Sequence, residues 1–221
     1  MGLFSRKKKS DNIVELIDEV EETSKTHGPW DESEAPDRDD LIDAGALKLP
    51  RAPGKIQYTI DKRTRRAIGA LVQMNNSAMQ INLYAAPRSE GLWDEVRTEL
   101  VESIRRQGGD CHEEQNKFGD EVVARIPAKD TKAQRHVRYV GVDGPRWFLR
   151  ASIEGDAVTN EEVRDLFYGY LEDVVVCRGQ DPHPPRDLIL LTMSDDVTAK
   201  LNEKLKKPGM PKRGPEITEI R

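Results

Sequence analysis

Apolar residues alternate with polar ones at Ile56, Tyr58 and Ile60, and again at Met79, Ile81 and Leu83. A period of two puts successive side chains on opposite faces of a strand, so each stretch predicts a half-buried strand. Ala67 to Met74 reads as a strand between them. The basic turn Asp61-Lys62-Arg63-Thr64-Arg65 and the turn Asn75-Asn76-Ser77 separate the three. The period then changes. Leu92, Trp93, Val96, Leu100 and Ile104 fall on one helical stripe. Ser89 stands where an N-cap is expected, Arg105 and Arg106 suit the negative end of the helix dipole, and Gly108-Gly109 stops the helix.

Two hairpins follow. Cys111 to Lys117 and Glu121 to Ile126 flank Phe118-Gly119-Asp120, while His136 to Val142 and Arg146 to Glu154 flank Asp143-Gly144-Pro145. Thr159 and Glu162 form a capping-box pattern ahead of a second stripe, Val163, Leu166, Phe167, Tyr170 and Leu171. Val174 to Cys177 reads as a buried strand, the proline-rich Asp181 to Pro185 as a stiff connection, and Leu188 to Thr192 as an edge strand. Runs of hairpin-linked strands with few helices predict an α+β fold: an antiparallel sheet with two core helices. Flanking helices are predicted at each terminus, over residues 10–23 (Ile13, Leu16, Ile17, Val20) and after Ser194 (Val197, Leu201, Leu205).

Charge divides the chain more sharply than hydropathy does. Residues 1–9 carry four bases and no acid, and residues 10–44 carry 13 acids against two bases. Residues 45–194 are balanced, so the net charge of -5 arises in the tails. The expected organisation is therefore a charged N-terminal tail over 1–44, one domain over 45–194, and a C-terminal helix and tail over 195–221. Within the acidic tract, Trp30 stands out as a residue that folds back onto the domain or anchors a partner. Two cysteines without framework spacing, and no long apolar run, point to a reducing, cytoplasmic setting. Membrane contact is expected only through residues 1–9, where Leu3 and Phe4 lie beside the bases.

Catalytic and cofactor motifs are sparse. No phosphate-cradling glycine loop, G-x-S-x-G elbow, H-E-x-x-H or pair of C-x-x-C occurs, and no cofactor or metal is expected. Cys111 and His112 are neighbours on a strand and point to opposite faces, which rules them out as a nucleophile–base pair. Cys177, Asp181 and His183 lack a fourth zinc ligand. Lys62, Arg63, Arg65 and Arg66 have only Tyr58 nearby for base stacking, so nucleic acid is disfavoured. The richest segment is Arg138 to Arg150. Alternation places Trp147 and Leu149 on one face, with Arg146, Phe148 and Arg150 on the other. Arginine and aromatic side chains together are the composition that contact surfaces favour.

Several of these runs also carry a resemblance. Gly28-Pro29-Trp30-Asp31, Ala85 to Val96, Gln107-Gly108-Gly109, Val140 to Arg150 and Pro184-Pro185-Arg186 resemble an actinobacterial family catalogued as domain of unknown function 3710. The resemblance spans roughly residues 28 to 192, a normal single-domain size. It implies a cytoplasmic bacterial protein and an ordered Trp30, and it brings no catalytic residues.

The functional expectation is a non-enzymatic binding or adaptor module that meets a protein partner through Arg88, Trp93, Arg138, Arg146, Trp147 and Arg150, with Trp30 as a further docking anchor. The alternatives are an enzyme or small-ligand site combining Arg88, Glu90 and Asp143, and attachment to nucleic acid or a membrane through the basic segments.

Overall fold

A computed structural model describes residues 27–88, 91–128 and 133–193. The helices expected over 10–23 and after Ser194 lie outside the described residues. In chain order the strands are β1 (Trp30–Asp31), β2 (Leu41–Asp43), β3 (Leu47–Pro50), β4 (Lys55–Ile60), β5 (Ala67–Met74) and β6 (Ser77–Ala85). Helix α1 (Trp93–Arg106) follows, then β7 (Asp110–Asn116), β8 (Gly119–Pro127), β9 (Gln134–Gly144) and β10 (Trp147–Gly155). Helix α2 (Glu161–Glu172), β11 (Val175–Val176) and β12 (Leu188–Ile189) complete the fold.

The strands form two sheets, which corrects the single-sheet α+β expectation. Among the described residues strands account for 45% and helices for 18%, so this is a β-rich fold carrying two helices. The main sheet has the order β4-β5-β6-β10-β9-β8-β7, entirely antiparallel, with β12 also on β6. β5 and β12 share one edge of β6: β5 pairs as far as Ile81, and β12 takes Leu83 and Tyr84. The small sheet has the order β1-β11-β3-β2, with β1 parallel to β11. Residues 30–43, expected within the charged N-terminal tail, thus supply two of its strands.

Strand register assigns the two faces of the main sheet. Met79, Ile81 and Leu83 lie opposite Ile153, Ala151 and Leu149, which in turn lie opposite Arg138, Val140 and Val142. This row meets Phe167, Tyr170 and Leu171 of α2 and Leu47, Leu49 and Val176 of the small sheet in the larger core. Tyr170 Oη ties α2 to the small sheet by donating to the Pro50 carbonyl at 3.0 Å. The reverse face holds a second core, where α1 covers Cys111, Val122, Ala124 and Phe148. Beyond α1 that face turns polar. Thr59 Oγ1 donates to Gln80 at 2.5 Å, and Asn82 Nδ2 donates to the Ile68 carbonyl at 2.8 Å.

Several boundaries differ from the local sequence signals. The β9–β10 turn is Pro145-Arg146, since Gly144 already pairs with Trp147. Proline at its first position and a φ of 62° at Arg146 are what a type II turn requires. Arg146 therefore belongs to the turn, while Phe148 and Arg150 share a strand face as expected. Asn160 caps α2, accepting from the Val163 N–H at 3.2 Å in place of Thr159; a 3₁₀ turn, Asp156–Val158, precedes it. Ser89 lies outside the described residues, and α1 takes its cap from β9. The Leu92 and Trp93 N–H groups donate to the Asp143 carboxylate at 2.7 and 3.1 Å. At the other end Gly109 N–H returns to the Ile104 carbonyl at 3.0 Å, closing α1 where the glycine pair predicts. Among the described residues no helix is long and apolar enough to cross a membrane.

Candidate functional site

The six arginines and tryptophans singled out from the sequence separate into an interior group and a surface group. Trp147 is fully buried, and its Nε1–H donates to the Asp31 carboxylate at 2.9 Å. That bond also fixes β1 and its neighbour Trp30, which is half-buried in the small sheet. Trp93 opens α1 and is 5% exposed. Its Nε1–H donates to the Asp120 carbonyl at 2.6 Å, and its ring lies flat on the backbone of Gly141. A Cβ at Gly141 would fall 2.1 Å from the indole, so only glycine admits this contact. Arg138 is buried on the α2 side of the sheet. Its guanidinium bonds Glu121, Glu114 (2.7 Å) and the Val158 carbonyl (2.7 Å). Burial works against that charge, but the two carboxylates outweigh it and hold the Arg138 pKa above its ordinary value. The buried Glu121 carboxylate also accepts from Tyr168 Oη at 2.5 Å and Asn116 Nδ2 at 2.9 Å. These three side chains hold the fold together and present no outward surface.

Of the surface group, Arg150 lines a groove between α1 and the main sheet. Trp93 stacks on Phe148 (5.9 Å, 22°), Phe148 on Tyr84 (5.8 Å, 29°), and the Arg150 guanidinium lies 5.3 Å from the Tyr84 ring. Cross-strand pairing explains the row, because Phe148 sits opposite Tyr84 and Arg150 follows two residues along the same face. Beside it, Leu92 and Val96 of α1 form an apolar wall, and Glu99 and Arg186 close a hollow of about 190 Å³. Arg186 is neutralised by Glu95 (2.7 Å) and Glu99 (3.1 Å). Arg150 differs: it is half-buried and stacked, and makes no ion pair or hydrogen bond among the described residues.

A second group of cations gathers at the β9–β10 turn. Arg178 Nε donates to the Arg146 carbonyl at 3.0 Å, and Arg146 Nη2 donates to the Gly179 carbonyl at 3.2 Å. Burial and the neighbouring Arg146 charge lower the Arg178 pKa against the opposing pull of the Asp181 carboxylate, with a smaller share from Arg88. Arg88 is exposed at the end of β6, where Arg186 N–H binds the Ala85 carbonyl at 2.7 Å. This end of the molecule therefore brings Arg146 and Arg178 together on the Gly179 and Asp181 carbonyls and the Gln180 side chain, with Arg88 near Arg178 and no carboxylate ion pair for the three among the described residues. Sequence reasoning missed Arg178 and Arg186 as members of the site. The Pro184-Pro185-Arg186 run was the available signal, but its placement beside α1 depends on β12 pairing with β6.

The remaining candidates are engaged elsewhere. The Asp143 carboxylate caps α1, and Glu90 lies outside the described residues. Cys111 is buried under α1, whereas His112 Nε2 meets Glu114 at 2.9 Å on the other face. The Cys177 thiol lies against Glu32, not near a metal site; burial, then the Glu32 carboxylate, pushes its pKa up to about 11. No group of three or more metal-ligating side chains gathers among the described residues. In the 61–66 turn, Asp61 sits at the centre of the bases and accepts from the Arg63 and Thr64 N–H groups at 3.0 and 2.6 Å.

The family model described as "Protein of unknown function (DUF3710)" matches residues 28–200. The chain belongs to this family. The matched DUF3710 region begins at the Gly28-Pro29-Trp30-Asp31 run, which forms β1 and meets Trp147. No curated protein matches the chain. Among solved structures, the DUF3710 chain is similar to the solution structure of cyanobacterial PsbP (CyanoP) from Synechocystis sp. PCC 6803. The identity is 8%, the alignment covers 62% of this chain and 91% of that one, and the TM-score is 0.40. A likeness at that level carries no argument about this protein.

Proposed function

We propose that the protein is a non-enzymatic binding module that holds a protein partner in the groove between α1 and the main sheet. The partner segment it fits is acidic and carries an apolar anchor. The observation that carries this reading is Arg150. A stacked, half-buried guanidinium has already lost part of its hydration, and its donors face no carboxylate. An arriving Asp or Glu side chain makes charge-assisted bonds there, which are about twice as strong as neutral ones. The hollow beside Leu92 and Val96 takes the anchor, and Arg88, Arg146 and Arg178 at the β9–β10 turn add positive charge to the same domain. Both cysteines are free, which suits action in a reducing cytoplasm.

The test compares partner capture by the full chain and by Arg150→Glu, with captured chains located by cross-linking. The variant is expected to lose capture while its thermal midpoint stays within about 2 °C, as for a surface substitution. Undiminished capture by a folded Arg150→Glu chain refutes the reading.

A further inference from the structure

We infer that the β9–β10 turn carries a phosphate-binding site, in which Arg88, Arg146 and Arg178 receive the phosphoryl dianion of a phosphate monoester or of inorganic phosphate. None of the three lines the hollow beside α1, so the site does not depend on what that hollow holds.

Convergence of like charge is the first support. Arg146 Nη2 and Arg178 Nη1 donate to the same Gly179 carbonyl, at 3.2 and 3.1 Å, so the two nitrogens lie no more than about 6.3 Å apart. The Arg88 charge also acts on Arg178. Like charges this close sit inside the screening length of physiological salt, about 8 Å, and repel. Asp181 opposes that repulsion at Arg178, yet it takes the guanidinium through its carbonyl, at 2.8 Å, and no carboxylate ion pair serves the three arginines among the described residues. The fold assembles more positive charge here than it neutralises.

Strain is the second support. Arg146 stands at the third position of the type II turn with a φ of 62°, the left-handed region in which glycine is the unstrained choice. Its bonds within the fold are long: Nη2 reaches the Gly179 carbonyl at 3.2 Å and Gln180 Oε1 at 3.4 Å. Arg186, at a φ of 70°, gains ion pairs with Glu95 and Glu99 in the same backbone region, and Arg146 gains none. An arginine in a glycine position, with so little holding it from inside, points to a ligand outside.

Preorganisation is the third. Arg178 is half-buried, with Nε fixed on the Arg146 carbonyl at 3.0 Å and Nη1 on the Gly179 and Asp181 carbonyls. Its Nη2 makes no hydrogen bond among the described residues, and neither do Arg146 Nε and Nη1 or the Arg88 guanidinium. Donors already held in place lose little further freedom on binding. A carboxylate is satisfied by a single arginine fork. A phosphoryl group carries close to two negative charges on three oxygens, which matches donors arriving from three segments of chain.

The experiment is calorimetric titration of the full chain at about pH 8, where a phosphoryl group is dianionic. The probes are inorganic phosphate and a peptide whose only charged side chain is phosphoserine. Saturable binding at one site per chain is expected. Arg146→Gly is expected to weaken it about tenfold or more, as loss of a charge-assisted bond does, while the thermal midpoint stays no lower than the parent's because glycine suits the turn. Arg88→Ala, an exposed substitution, should weaken it several-fold. Lys62→Ala removes the same charge from the 61–66 turn and should leave affinity unchanged. Tighter binding of the phosphopeptide assigns the dianion to a modified partner chain, and equal or tighter binding of inorganic phosphate assigns it to a small phosphate; the site stands in both cases. Absence of saturable binding by either probe up to about 10 mM overturns the inference. Equal affinity in the parent and Arg146→Gly also overturns it, as does an equal loss in Lys62→Ala, which reduces the effect to net charge.

Discussion

Replacing Asp143 with alanine is expected to destabilise the fold by loosening α1 from the sheet. Asp143 is remote in sequence from α1, yet its two carboxylate oxygens accept from the Leu92 and Trp93 N–H groups at 2.7 and 3.1 Å. Leu92 sits at the N-cap position and has no side-chain acceptor of its own. Loss of a polar cap costs about 0.5–2 kcal/mol, and loss of a negative charge at the helix N-terminus about 0.3–1 kcal/mol more. Asp143 is exposed, so solvent screening favours the lower half of that range. We expect about 1.5 kcal/mol, read by urea denaturation, and a thermal midpoint about 3–6 °C lower. Asp143→Asn keeps an acceptor without the charge and is expected to lose about half as much. Gly91 supplies an independent check, because a Cβ there would lie 2.5 Å from the same carboxylate. Gly91→Ala should therefore cost less in the Asp143→Ala background than in the parent chain, a coupling that a double-mutant cycle measures. A loss below about 0.5 kcal/mol for Asp143→Ala, or strict additivity with Gly91→Ala, refutes the cross-strand cap.

Two further expectations follow from the interior. Arg138→Met leaves the Glu121 carboxylate buried without its cation and is expected to cost about 3 kcal/mol, since Tyr168 and Asn116 still donate to it; the Arg138→Met, Glu121→Met pair should recover much of that loss in the same denaturation assay. For Cys177, the rate of alkylation by iodoacetamide should rise with pH to a midpoint of about 11, and Glu32→Gln should lower that midpoint, because removing a neighbouring negative charge favours the thiolate.

Local pattern made much of the main sheet legible. Period-two runs located β4, β6 and β10, and the stripe Leu92, Trp93, Val96, Leu100 and Ile104 located α1, because one-sided burial imposes these spacings directly. The small sheet was legible only at β11, which forms where Val174 to Cys177 reads as a buried strand. β1 has two residues, too short for any period, and its pairing with β11 joins opposite ends of the domain. The same limit hid the α1 cap, which lies on another strand. In the site, Arg150 and Phe148 were rightly placed on one face, since alternation along β10 demands it. Trp147, Trp93 and Arg138 combine polar groups with large or charged bodies, and composition alone cannot tell an outward anchor from an inward one whose polar atoms are satisfied. Asp31, Asp120 and Glu121, which satisfy them, are distant in sequence from Trp147, Trp93 and Arg138 respectively.

The parallel pairing of Trp30 and Asp31 with Val175 and Val176 also sets a schedule. Ribosomes build the chain from its N-terminus at about 5–20 residues per second, so Asp31 emerges on the order of ten seconds before Val176 exists. Throughout that interval β1 lacks its neighbour, and the underside of β6 and β10 awaits α2. A nascent chain stalled after β10 and before α2 would thus expose an unfinished apolar layer, the kind of surface on which chaperones act during translation.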